Sequence, residues 1–162
     1  KKNGSKAQSW KLTYVKDAAK IQTKGLNKNF GLEIERPFFI VSKMWMNRVV
    51  ECVGASNLVL KTLRKTNKGQ QFFLDDKTQT IVSNQWKDRS ITIQSNGNSN
   101  NLYMTTTNAR WFQLFRWKDN MLVNDKGKVM TIVGDVDAEN RNIGVFNKDG
   151  KLGQTWDIIY VD

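Results

Sequence analysis

Short runs of Val, Ile, Thr and Phe, broken every few residues by Asn, Gly, Asp and Lys, fill most of the chain. Within the runs apolar and polar residues alternate with the period of two that marks half-buried strands, and the 3.6-residue helical period is nowhere sustained. One proline, 11 glycines and 10% aromatics agree with many short strands.

The strands recur as a set. Ile40-Val41-Ser42, Ile81-Val82-Ser83 and Leu122-Val123-Asn124 open three units at intervals of 41 residues. A second strand follows in each, over Arg48–Gly54, Arg89–Ser95 and Lys128–Gly134. After a polar loop that ends in Asn each time come Asn57–Leu60, Asn101–Met104 and Asn142–Val145. The units close on Gln70-Gln71-Phe72, Arg110-Trp111-Phe112 and Gln154-Thr155-Trp156, a polar residue two places before a large aromatic. A four-stranded unit of roughly 40 residues cannot bury an apolar face alone, so three of them must share one core. Closure of a barrel by threefold repetition is the simplest way to do so.

The Gln-x-Trp/Phe ending, the Arg-x-Val-Glu-x-x-Gly strand and the count of three resemble the ricin-B-type β-trefoil family over residues 38–162. The expected fold is therefore an all-β trefoil in which Phe72, Phe112 and Trp156 pack in the core. A second likeness lies at the other end. Gly4, Gln8, Trp10, Tyr14 and Val15 recur as Gly150, Gln154, Trp156, Tyr160 and Val161, each 146 residues later. Residues 1–17 are expected to be the closing strand of a preceding trefoil, residues 18–37 a basic connector, and residues 38–162 the trefoil itself. Tandem trefoils in a longer parent chain follow.

Composition narrows the chemistry. With no histidine and with Cys52 as its single cysteine, the 162-residue chain can build no Cys/His zinc site, no His-based triad and no internal disulfide. That fits a reducing compartment and makes an intracellular, cytoplasmic location the expectation. No run approaches the roughly 18 apolar residues of a membrane span, so no membrane insertion is expected. Asp135, Asp137 and Glu139 depart from the spacing of a calcium loop and read as a solvated turn. No phosphate-binding glycine loop or nucleophile elbow is present. A non-enzyme without metal or cofactor is expected.

Two kinds of binding residue remain. In sugar-binding members of the resembling family each unit supplies an Asp in the second strand, an aromatic after the third, and an Asn just before the Gln of Gln-x-Trp. Here those places hold Glu51, Thr92 and Thr131; Lys61, Thr105 and Phe146; and Gly69, Ala109 and Gly153. No unit keeps all three, so the standard sugar sites are degenerate. The carbohydrate candidates are Phe146 and Asn147 as a platform with Asp135 swinging in, together with Gln154, Glu51 and Asn57. Trp45 and Trp86, 41 residues apart at equivalent hairpin tips, and Trp117 between units two and three, with Arg89 and Arg116, are candidates for a protein interface.

The net charge of +11 favours acidic partners. Residues 1–37 hold nine Lys or Arg against three acids, and the remainder 17 against 12. No DNA- or RNA-binding motif accompanies the excess, so nucleic acid is not favoured. The leading expectation is a non-catalytic binding or scaffolding module that contacts protein or acidic surfaces. The alternatives are a lectin acting through residual sites and a binder of anionic polymers, heparin-like or nucleic acid.

Overall fold

The computed structural model describes residues 24–162. The closing strand expected over 1–17, and residues 18–23 of the connector, lie outside the described residues. Among the described residues fourteen strands form: β1 (Leu26–Asn27), β2 (Leu32–Glu33), β3 (Phe38–Ser42), β4 (Arg48–Val53), β5 (Asn57–Thr62), β6 (Phe72–Leu74), β7 (Ile81–Ser83), β8 (Arg89–Ile93), β9 (Leu102–Thr106), β10 (Arg116–Lys118), β11 (Met121–Val123), β12 (Lys128–Ile132), β13 (Arg141–Asn147) and β14 (Trp156–Tyr160). The last twelve are three four-stranded units, and the architecture is an all-β trefoil.

Pairing follows the repeat. In each unit the second and third strands make a long hairpin, β4–β5, β8–β9 and β12–β13. The units join through β6–β7 and β10–β11, and β14 returns to pair over five residues with β3. The recurring Ser/Asn that ends each first strand makes the hairpin turn. The Ser42 hydroxyl accepts from the backbone N–H of Met44 and Trp45, that of Ser83 from Gln85 and Trp86, and the Asn124 amide oxygen from Lys126 and Lys128. A short polar side chain that bonds the backbone two to four residues on replaces a turn that a ladder cannot supply.

Alternation decides the core. Ile40, Ile81 and Leu122 from the first strands, Val50 with Cys52, Ile91 with Ile93 and Met130 with Ile132 from the second, and Leu58 with Leu60, Leu102 with Met104 and Ile143 with Val145 from the third share one buried cluster. Phe72, Phe112 and Trp156 are buried there too. Cys52 belongs to this cluster, and burial pushes its thiol up to about 12. At neutral pH it is a small apolar side chain and a poor nucleophile.

Residues 24–37, expected as part of a connector, fold onto the barrel. The β1–β2 hairpin turns at Asn27, whose amide oxygen accepts from the N–H groups of Asn29 and Phe30. Gly31 follows at φ 71°, with its α-carbon so close to the Trp117 carbonyl oxygen that a β-carbon would collide. The hairpin touches the last strand of every unit: Ile34 bridges Leu74 of β6, Phe30 O accepts from Trp117 N–H of β10 at 2.8 Å, and Glu33 N–H bonds the Tyr160 hydroxyl of β14 at 2.9 Å. Leu32 lies fully buried at the centre of these contacts. A large-to-small change at such a position costs the lost transfer energy plus a cavity. Leu32→Ala is therefore expected to lower the unfolding free energy by about 2–5 kcal/mol in a urea titration. A loose connector would leave the midpoint in place.

Candidate functional site

Each unit buries a glutamine at the end of a single 3-10 turn, Gln70, Gln113 and Gln154, so the second unit closes on Gln113-Leu114-Phe115, three residues later than the expected Arg110-Trp111-Phe112. The side-chain oxygen accepts from a backbone N–H of the loop before it, at Arg64 (2.7 Å), Asn108 (2.8 Å) and Asp149 (2.8 Å). The side-chain nitrogen donates to the carbonyl of Thr62, Thr106 and Asn147, at the end of the third strand in every unit. The same nitrogen reaches the polar residue of the second strand, Glu51 at 2.8 Å, Thr92 at 3.0 Å and Thr131 at 3.3 Å. A buried amide satisfied on both ends is a fixed structural tie. It explains why all three units carry Gln at this place.

That network settles where two sugar candidates sit. Gln154 is buried with both ends bonded inside the protein. Glu51 is buried as well, and the oxygen that meets Gln70 also receives the Asn67 amide at 3.4 Å. Its unit offers Lys61 where the family has an aromatic, and the Lys61 ammonium lies 3.8 Å from Glu139. Unit two offers Thr92 and Thr105, with neither carboxylate nor aromatic at those places, and the residue before its glutamine is the buried Phe112 and not Ala109 as expected.

Unit three differs. Thr131, Val133, Gly134, Asp135, Phe146, Asp149 and Lys151 line a cleft of about 230 Å³. Its floor is shaped by the turn Val133–Asp135, in which Gly134 and Asp135 both take positive φ, 77° and 51°. The Arg141 guanidinium holds this turn by donating to Val133 O at 2.5 Å and leaves no room for a side chain at 134. Asp135 lies over Gly153 so closely that a β-carbon there would strike its carboxylate. The carboxylate therefore occupies the space that an amide at 153 would need. Asp149 also lines the cleft, one of its carboxylate oxygens accepting from Lys151 N–H at 2.8 Å.

The other acids of the loop are spoken for. Arg48 binds Asp137 at 2.5 Å and Glu139 at 2.6 Å, tying the third unit to the first. Hydrogen bonds from the Thr62 hydroxyl and N–H, with the charges of Arg48 and Lys61, hold the Glu139 carboxyl below the ordinary range. The loop expected to be merely solvated is thus ion-paired at two positions. Asp135 keeps a carboxylate without hydrogen-bond or ion-pair partner among the described residues, beside the half-buried Phe146 ring. Asn147, the next residue, is exposed and engages Gln154 only through its carbonyl. Among the described residues no group of three or more His, Cys, Asp or Glu is placed to hold a metal ion.

The remaining candidates lie elsewhere. Trp45, Trp86 and Trp117 are half-buried and pack on the core, the first two at hairpin turns. Arg89 begins β8 beside Trp86, whose carbonyl accepts its N–H. Arg116 is exposed, paired with Asp125 at 3.0 Å and set 5.9 Å over the Phe30 ring. Asn57 starts β5, where it lies opposite Tyr103 of the second unit, and it is not among the residues that line the cleft at Asp135.

No protein-family model matches the sequence, and no curated protein matches it either. Solved structures do. The C-half of an earthworm R-type lectin, in complex with GalNAc, superposes with a TM-score of 0.67 at 16% identity, over 77% of this chain and 98% of that one. The Vibrio vulnificus hemolysin/cytolysin β-trefoil lectin, bound to N-acetyl-D-lactosamine, gives 0.65 at 16%, over 78% and 96%. A non-toxic homologue of type II RIPs from Momordica charantia, in complex with α-methyl-D-galactoside, gives 0.68 at 17%, over 76% and 48%. Likeness at these identities establishes a ricin-B-type β-trefoil fold.

Proposed function

We propose that, on this ricin-B-type trefoil, the third unit is the working site of a non-catalytic carbohydrate-binding module. The observation that carries the reading is the Asp135 carboxylate, without a hydrogen-bond or ion-pair partner among the described residues and set beside the Phe146 ring in one cleft. A carboxylate accepts from two sugar hydroxyls, and a ring packs against the apolar face of the sugar. Sites are the proper warrant for function, since one fold hosts many. The GalNAc, N-acetyl-lactosamine and galactoside held by the similar structures support the same ligand class. The acid comes from the loop after the second strand rather than from the strand, where Thr131 is bonded to Gln154.

A protein contact is the second reading, and one observation favours it. Along β3 and β14 the buried Phe39 and Val41 and the exposed Ile159 join Met46, Leu63 and Val161 around a largely apolar groove of about 470 Å³ edged by Lys65, Asp157 and Asp162, with Met46 77% exposed. This face suits an apolar protein surface rather than the acidic one expected from net charge.

The readings separate on a glycan array probed with the 162-residue chain at low and at physiological salt. Binding by neutral hydroxyls is expected to survive the higher salt, because few counterions are released. Signals that vanish with salt would mark an anionic-polymer binder and overturn the lectin reading. Met46→Glu is expected to leave glycan signals unchanged.

A further inference from the structure

The three hairpins meet at one end of the trefoil, and they do so in a cycle. Asn57 of β5 lies opposite Tyr103 of β9, Asn101 lies opposite Gly144 of β13, and Asn142 of β13 lies opposite Val59 of β5. Each asparagine thus faces the residue two places beyond its equivalent in the next unit. The pairings surround the pseudo-threefold axis. Gly144 allows the close approach on one side, since a β-carbon there would strike the Asn100 carbonyl, which accepts from Val145 N–H at 2.8 Å.

At this axis lies a cavity of about 420 Å³. Its rim is Asn57, Asn101, Asn140, Asn142 and Tyr103, and no charged side chain among the described residues lines it, in a chain of net charge +11. Asn101 donates to Gln94 at 3.0 Å. The amides of Asn57, Asn140 and Asn142 and the Tyr103 hydroxyl have no side-chain hydrogen bond among the described residues. A carboxamide presents a donor and an acceptor side by side, which matches two adjacent sugar hydroxyls. Tyr103 adds a ring face, and Leu58 and Leu102 form an apolar floor. Few convergent polar groups in a preformed cavity of this size make a small-ligand site.

We infer that the axial cavity is a second saccharide site, built from one asparagine of each unit and separate from the cleft at Asp135. An anion would find no cation here, and a peptide would find no deep apolar pocket for an anchor. The inference takes its ligand class from the carbohydrate-binding reading. Two sites on one trefoil would raise the apparent affinity for branched or clustered glycans well beyond either site alone. The symmetry is broken by Val59, Tyr103 and Gly144, so the sugar has one preferred orientation.

The test is a titration of the 15N-labelled 162-residue chain with N-acetylgalactosamine and with N-acetyl-lactosamine, read in 1H–15N spectra, with trialanine as the peptide probe. The side-chain amide signals of Asn57 and Asn142, assigned by their loss in Asn57→Ala and Asn142→Ala, are expected to shift with a saccharide. They are expected to shift equally in Asp135→Asn, where the Gly134 and Phe146 signals fall silent. The double change Asn57→Ala/Asn142→Ala is expected to weaken the shift of Tyr103 by about tenfold and to leave Gly134 responding. Axial signals that stay fixed while Gly134 and Phe146 move would overturn the axial site alone. Axial signals that move with Gly134 and Phe146 fixed would uphold it and sink the third-unit cleft. Stillness at both places would end both readings, and axial shifts with trialanine in place of sugar would overturn the saccharide assignment.

Discussion

Trp156→Ala is expected to lower the unfolding free energy by about 3–5 kcal/mol, the range for removing a large aromatic from a packed core. Trp156 is fully buried, its indole N–H donates to Met130 O at 3.1 Å, and its backbone N–H bonds Asn120 O at 2.7 Å. It also begins the strand that returns to β3, where Trp156, Ile158 and Tyr160 lie opposite Ser42, Ile40 and Phe38. Loss of the ring opens a cavity at the junction of the first and third units. Urea unfolding followed by circular dichroism reads the effect. Trp156→Phe should recover most of the loss, because Phe72 and Phe115, each two places after the buried glutamine of its unit, fill the equivalent places. It leaves the Met130 carbonyl without its donor, at a cost of about 1 kcal/mol. A Trp156→Ala protein with an unchanged midpoint would contradict the shared threefold core.

Asp135→Asn is expected to reduce saccharide affinity by about ten- to a hundredfold, with stability held within about 0.5 kcal/mol, whereas Phe146→Ala should lower affinity and also cost about 1–2 kcal/mol of stability, because its half-buried ring is lost. The estimate follows from hydrogen bonds to a charged acceptor, worth about 1.5–3 kcal/mol each. Asn is the clean replacement at 135 because φ there is 51°, a region that Asn tolerates and β-branched residues do not. Calorimetric titration with a glycan found on the array measures the loss, and thermal unfolding checks the fold. Gln154→Ala is the informative contrast. It strips the backbone N–H of Asp149 and the carbonyl of Asn147 of their partner, so it should lower stability first and affinity only through that.

The trefoil is legible in the sequence because its signals are periodic and local. A 41-residue interval, period-two alternation and a recurring polar-x-aromatic ending leave few other arrangements, although the ending of the second unit lies at Gln113-Leu114-Phe115, three residues past the place read from spacing. The hairpin over 24–37 is not legible in the same way. Its strands are two residues long, its apolar residues are the isolated Leu26, Phe30, Leu32 and Ile34, and it forms through contacts with Leu74, Trp117 and Tyr160 that lie far along the chain. Lys24 and Lys28 dominate such a stretch when it is read as a string, although Lys24 is bound to Glu35 at 2.9 Å.

For the site, the limit is partnership. Glu51, Asp135, Asp137 and Glu139 are equivalent as letters, and only the fold gives Glu51 to Gln70, Asp137 and Glu139 to Arg48, and leaves Asp135 without a partner among the described residues. Lys151 and Asp149 enter the cleft because the last loop folds back over the turn at Gly134. The asparagine that ends each loop was visible as a repeat. Its convergence on the axis depends on how three hairpins meet, which spacing does not reveal.

The most direct measurement is a crystal structure of the 162-residue chain with N-acetylgalactosamine. The account predicts the sugar in the third-unit cleft, with hydroxyls on the Asp135 carboxylate and the ring of Phe146 against its apolar face. Sugar bound elsewhere with that cleft empty would contradict it.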